Sequence, residues 1–145
     1  MDWKREAVGK LKTYAARKGS LRSTAEEIKR IEERMTSIHS ASADSVPVHG
    51  GTSTREDMLI NAISQIDELK RAAEDTKKWV AIVDAALGEL SAQERLILDR
   101  FYIHRAMGNV DRLCEELHLE KSRVYTLKDA ALKHFTVAMY GWTET

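Results

Sequence analysis

The sequence has a single cysteine and no long hydrophobic run. One cysteine, Cys114, excludes an internal disulfide bond, which is consistent with a reducing compartment. No apolar stretch is long enough to cross a bilayer, and residues 2–18 alternate charged and apolar positions, unlike a signal peptide. We therefore expect a cytoplasmic protein that does not contact membranes.

Residues that could form a catalytic or metal site are few and scattered. Cys114 and His118 are four residues apart and could supply half of a metal site, but the sequence has no second pair at such a spacing. Gly50 and Gly51 are not followed by the lysine and hydroxyl residue of a P-loop. The sequence therefore predicts no enzyme, no catalytic residue, no metal and no cofactor.

Charge is balanced overall but unevenly distributed. The 23 basic and 23 acidic residues give a net charge of zero. Most of the charged residues in the segment 1–22 are basic, whereas most of those in the segment 36–90 are acidic. The basic segment could contact DNA beside a main binding site or pair with the acidic segment, and the sequence leaves both open.

Periodic apolar positions predict an all-α fold that starts with an N-terminal helical hairpin at residues 1–39. Its first helix covers residues 2–18 and ends with Gly19 in a left-handed cap. Its second begins near Ser20 or Ser23, because residues 23–26 have the spacing of a capping box. Residues 40–54 concentrate small and polar residues with the only proline, which predicts a flexible loop.

Residues 55–90 predict one long, coiled-coil-like heptad helix, preceded by a second capping-box spacing at residues 53–56. Two rows with seven-residue spacing form its seam: Leu59, Ile66, Ala73, Val80 and Leu87, and Ala62, Leu69, Thr76, Val83 and Leu90. Such a helix would extend about 50 Å. The N-terminal hairpin, a second subunit or both must cover it.

Residues 91–141 have the pattern of a helix-turn-helix module. Two short apolar runs at helical spacing are separated by a break at residues 118–121, and they should share one small core. Their members are Leu113, Cys114 and Leu117, then Leu119, Val124, Leu127 and Ala131. Asn109 is predicted to cap the first helix, with Asp111 in its opening turn. The outer face of the second helix is then free to enter a DNA major groove.

That outer face carries residue types suited to contact with double-stranded DNA. The hydroxyls of Ser122 and Thr126 can bond to base edges or phosphates, and Tyr125 adds a flat apolar surface. Lys121 and Arg123 can hold the phosphate backbone, and the helix has a local surplus of positive charge. We predict DNA contacts at Lys121, Ser122, Arg123, Tyr125, Thr126, Lys128 and Lys133.

The same segment resembles known DNA-binding families. LCEELHLEKSRVYTLKDAALKHF is similar to the helix-turn-helix of region four of the bacterial sigma factors, and LSAQERLILDRFYI resembles the helix that precedes it there. Residues 2–141 as a whole resemble the ArpU and RinA group of phage-encoded transcriptional regulators, implicated in switching on late genes. The resemblance implies DNA contacts at the start of the recognition helix, at Lys121, Ser122, Arg123, Tyr125 and Thr126.

Two residues depart from the usual helix-turn-helix pattern. His118 stands where many such turns have glycine, so it must adopt a backbone geometry that most residues avoid. Glu120 replaces the common serine or threonine at the N-cap of the recognition helix.

Our main hypothesis is a sequence-specific transcriptional regulator of phage or prophage genes, whose helix starting near Lys121 enters the major groove. Its helical N-terminal part would form a homo-oligomer, with a dimer favoured, or contact RNA polymerase. A dimer would favour half-sites roughly 10 base pairs apart. Two alternatives stay open: a DNA-recognition subunit of a phage packaging machine, similar to a small terminase subunit, and a coiled-coil adaptor without specific DNA affinity.

Overall fold

A computed structural model describes residues 1–43 and 51–141 of the chain, with the side chains of residues 1–40 and 54–141. The fold is all-α, as the sequence predicted. A π-helical turn, Asp99–Ile103, directly follows the third helix. The helices are α1 (Trp3–Ala43), α2 (Gly51–Gly88), α3 (Ala92–Leu98), α4 (Asn109–Leu117) and α5 (Lys121–Tyr140). None of these helices is long and apolar enough to span a membrane.

The chain forms two compact units. The first unit consists of Met1–Lys18 and Lys78–Thr145, and the second unit is Gly19–Lys77. The first unit therefore joins the N-terminal end of α1 to the C-terminal end of α2 and to α3, α4 and α5.

The predicted break at Gly19 is wrong, because α1 continues through it to Ala43. A glycine inside a helix costs only about 1 kcal/mol relative to alanine. The apolar row of the first predicted helix continues across it in phase, and every member is buried or partly buried. The row is Ala7, Tyr14, Leu21, Ile28 and Met35. Continuous burial outweighs one glycine, so residues 3–39 belong to one helix and do not form a hairpin.

The predicted loop at residues 40–54 is partly helical. Residues 40–43 belong to α1 and residues 51–54 to α2, while residues 44–50, with the proline, lie outside the described residues. Because α2 begins at Gly51, the capping-box spacing at residues 53–56 does not start it. The same spacing at residues 23–26 lies inside α1. A capping-box spacing in the sequence therefore does not by itself mark the start of a helix.

A formed capping box is found instead at the start of α3. The Ser91 hydroxyl accepts a hydrogen bond from the Glu94 backbone N–H, and the Glu94 carboxylate accepts one from the Ser91 N–H, each at 3.1 Å. The Glu94 carboxylate also contacts His134 Nδ1 on α5. Burial acts to raise the pKa of Glu94, but the hydrogen bonds from His134 and Ser91 lower it below its ordinary value. Glu94 thus ties α3 to α5.

Helix α1 covers the heptad seam of α2. All ten predicted seam positions are buried or partly buried. In the first unit, the Tyr14 hydroxyl donates to the Asp84 carboxylate, and the Arg17 guanidinium lies 3.9 Å from the centre of the Trp79 ring. These pairings show that the two helices run in opposite directions there. In the second unit, residues of both helices line a shared groove.

The first unit contains two hydrophobic clusters. The larger cluster buries Ala7, Leu11, Val83, Ala86, Leu90, Leu98, Ala131, Leu132 and Phe135. The smaller cluster buries Ile97, Leu113 and Val124, with Leu96, Phe101, Cys114, Leu117, Leu119 and Leu127 partly buried around them. Six of the seven residues predicted to share one small core lie in the smaller cluster, and Ala131 lies in the larger one. Because α5 has 20 residues, its second half reaches the larger cluster.

Candidate nucleic-acid interface

The turn between α4 and α5 adopts the backbone geometry predicted at His118. This residue has φ 54° and ψ 45°, in the left-handed region, which confirms the prediction. The N–H of Leu119 donates to the carbonyl of Cys114 at 3.1 Å and closes the end of α4. Glu120 is extended at the N-cap of α5, and its side chain makes no capping bond. The turn thereby fixes the start of α5 at Lys121.

The first half of α5 presents a polar surface. Six of the seven predicted DNA-contact residues are exposed, and Lys128 is not. At about 100° per residue, Ser122, Thr126 and Lys133 lie close together on the side opposite the buried Val124. The Thr126 hydroxyl donates to the Ser122 carbonyl at 3.0 Å and keeps its lone pairs available as acceptors. Arg123 lies further round the helix.

Lys128 is directed into the protein. Its side chain is 19% exposed, and its ammonium lies 2.8 Å from the Asp129 carboxylate. The same ammonium lies 5.7 Å from the centre of the Phe101 ring and 5.8 Å from that of Tyr125. Burial acts to lower the pKa of Lys128, but Asp129 and the nearby Tyr102 phenol raise it above its ordinary value. A cation–π cluster thus joins α5 to the π-helical turn.

Asn109 is not the N-cap of α4, contrary to the prediction. Gly108 occupies that position with φ 76°, a conformation that glycine adopts readily. Asn109 is buried, and its Nδ2 donates to the Arg100 carbonyl at 2.5 Å and to the His104 carbonyl at 3.4 Å. The polar side chain that suggested a cap instead holds the end of the π-helical turn against α4.

We expect Asn109→Ala to lower the free energy of unfolding by about 1–3 kcal/mol, because it removes the hydrogen bonds that the buried Asn109 side chain donates to the Arg100 and His104 carbonyls. Urea denaturation followed by circular dichroism measures this change. The matched control is Asn61→Ala, at an exposed position of α2, where a change within about 0.5 kcal/mol is expected. Equal stability of the two variants would show that the Asn109 bonds contribute nothing.

A groove of about 870 Å³ borders the start of α5. It is formed by α1, the π-helical turn, residues 105–108, the first turn of α4 and the first two turns of α5. One acidic residue, Asp111, lines it. The basic lining residues are Lys12, Arg100, Arg105, Lys121 and Lys128. The groove therefore has a large excess of positive charge.

Two of these cations are paired and three are not. Arg100 lies 3.2 Å from the Glu116 carboxylate, and Lys128 is paired with Asp129. The remaining three are exposed, and none forms an ion pair with any residue whose side chain the structure describes. They are Lys12, Arg105 and Lys121. The groove thus holds three cations whose charge is available to a ligand.

Sequence reasoning missed three groove residues, Lys12, Arg100 and Arg105. The basic character of residues 1–22 was the one signal that pointed towards Lys12. Other cations of that segment are engaged within the first unit: Lys10 donates to the Tyr140 hydroxyl at 2.8 Å, and Arg17 stacks on a tryptophan. Periodicity could not have shown that Lys12 lines the groove beside the start of α5.

No family model matches the sequence, and no curated protein or solved structure is significantly similar to this chain. Within residues 1–40 and 54–141, no group of three or more histidine, cysteine, aspartate or glutamate side chains is placed to hold a metal ion. The exposed face of α5 and the groove beside it are therefore the features of the described residues that indicate a function.

Proposed function

We propose that this protein is a sequence-specific DNA-binding regulator of phage or prophage transcription that reads the major groove with the start of α5. The observation that carries this proposal is the exposed face formed by Ser122, Thr126 and Lys133, on a helix whose opposite side is buried. An α-helix fits the major groove of B-DNA, and hydroxyl groups can bond to base edges there.

Electrostatics support the same role. Lys121 and Arg123 flank the face and are exposed, so they can contact phosphates on either side of a bound groove. The unpaired cations of the neighbouring groove add positive charge next to the face, although the whole chain is neutral. Such a local surplus is typical of a DNA-binding surface.

Self-association belongs to the proposal because α2 exposes large apolar side chains in the second unit. Met58 is 49% exposed, Ile60 62% and Ile63 49%. Ile60 and Ile63 are three residues apart and therefore neighbours on the helix surface. Exposed apolar clusters are typical of protein interfaces, so these residues favour a homo-oligomer or a contact with RNA polymerase.

Selection from a random duplex library tests the proposed DNA reading. We expect the wild-type protein to enrich a defined motif, and Ser122→Ala/Thr126→Ala to lose at least tenfold of the preference for that motif over shuffled DNA. Loss of the readout of one base pair costs about 1–3 kcal/mol of discrimination. Alanine is a good helix former, so both substitutions should leave α5 intact.

The control is Ser37→Ala/Ser64→Ala, which removes two exposed hydroxyls from the second unit and should leave the preference unchanged. Failure of the wild-type protein to enrich any duplex at moderate salt would reject the proposal and favour the adaptor alternative. Light scattering separates the remaining candidates, because a dimer supports a regulator, whereas a ring-sized mass supports a packaging subunit.

A further inference from the structure

We propose that the groove beside α5 holds the phosphate backbone of one strand of the bound duplex, so that Lys12 of the first helix is part of the DNA interface. This deepens the proposed function and rests on it. The ligand chemistry is a run of consecutive phosphodiesters, contacted mainly by Lys12, Arg105 and Lys121.

Charge is the first reason. The three unpaired cations come from three separate parts of the chain: α1, the residues before α4, and the start of α5. Each of these side chains is exposed and unpaired, so a phosphate can contact it without breaking an internal ion pair. Cations that converge on one groove from distant parts of a chain form an extended positive surface, which suits a polyanion better than a single small anion.

The contacts that the aromatic side chains already make favour phosphates over unstacked bases as the ligand of the groove. Phe101 packs against Tyr102 with ring centres 6.2 Å apart, and edge-on against Tyr125 with centres 5.7 Å apart. The Lys128 ammonium lies over both Phe101 and Tyr125. Because these rings are already engaged with each other and with a cation, they are poorly available as stacking platforms for bases.

Position gives the third reason. Lys121 and Tyr125 line the groove, and Ser122 and Thr126 follow on the adjoining side of the same helix. A helix seated in the major groove is flanked by the two phosphate backbones that border it. The basic groove lies on the side of α5 where one of those backbones would run.

The salt dependence of DNA binding tests this inference. Each phosphate contact contributes about 0.9 to the slope of log affinity against log salt concentration. We expect Lys12→Gln/Arg105→Gln to reduce that slope by about 2, so that its binding defect is about tenfold larger at 50 mM than at 200 mM salt. The preference for the selected motif should persist, because the hydroxyl face is untouched.

The control is Lys29→Gln/Arg71→Gln, which removes the same charge from exposed positions of the second unit. Circular dichroism checks that all variants are folded. Equal slopes for the groove variant and the control would overturn the inference while leaving the proposed function standing. Absence of wild-type binding to any duplex would overturn the proposed function itself. Displacement of DNA by polyglutamate at equal charge concentration would show a groove for acidic polypeptides, and would also overturn the inference.

Discussion

Phe135→Ala is expected to lower the free energy of unfolding by about 3–5 kcal/mol, the usual cost of truncating a buried aromatic side chain. Phe135 has no exposed surface and is the largest fully buried side chain in the described part of the chain. It lies in the larger cluster, where helices α1, α2, α3 and α5 meet.

Chemical denaturation followed by helical circular dichroism measures this loss. The matched control is Val137→Ala, two residues further along α5, where the side chain is 42% exposed. That change should alter stability by no more than about 0.5 kcal/mol. A loss below about 1 kcal/mol for Phe135→Ala would mean that the larger cluster does not form in solution.

Leu11→Ala is expected to cost about 2–5 kcal/mol and to destabilise α5, although the two lie more than 100 residues apart in sequence. Leu11 is fully buried in the cluster that also contains Phe135. The Trp3 ring lies 4.8 Å from that of Tyr140, centre to centre, so α1 also touches the end of α5. The first unit should therefore unfold as one cooperative body.

Hydrogen exchange of the α5 amides is the decisive measurement for this variant. Faster exchange throughout α5 is expected in Leu11→Ala, whereas Ile82→Ala, at a 58% exposed position of α2, should match the wild-type protein. Unchanged exchange in α5 would indicate that residues 91–141 fold independently, as the division made from the sequence supposed. The two outcomes distinguish a C-terminal module from a unit that requires the N-terminus.

The sequence predicted the elements whose signal is local and repeated. All ten positions of the heptad rows predicted for residues 55–90 are buried or partly buried, because each apolar residue in the repeat reports the same helix face. The left-handed geometry at His118 followed from the position of the turn. The polar face of α5 followed in the same way from helical periodicity, with Lys128 as the residue that packing turned inward.

Single residues with more than one structural use were misread. Gly19 can end a helix or continue it, and the in-phase apolar row across it favoured continuation, a signal present in the sequence but overlooked. Asn109 can cap a helix or bond to neighbouring carbonyls, and the choice depended on where the π-helical turn places the Arg100 carbonyl. The choice at Asn109 depends on neighbours that local pattern does not identify.

The sequence by itself therefore determined the all-α class, the buried face of α2 and the polar face of α5, because helical periodicity records burial one residue at a time. The tertiary structure alone decided that α1 covers the seam of α2, and that Lys12 joins Arg105 and Lys121 in one groove. The physical reason is range: periodicity acts over a few turns of one helix, whereas a charged groove requires side chains from distant segments to converge through packing.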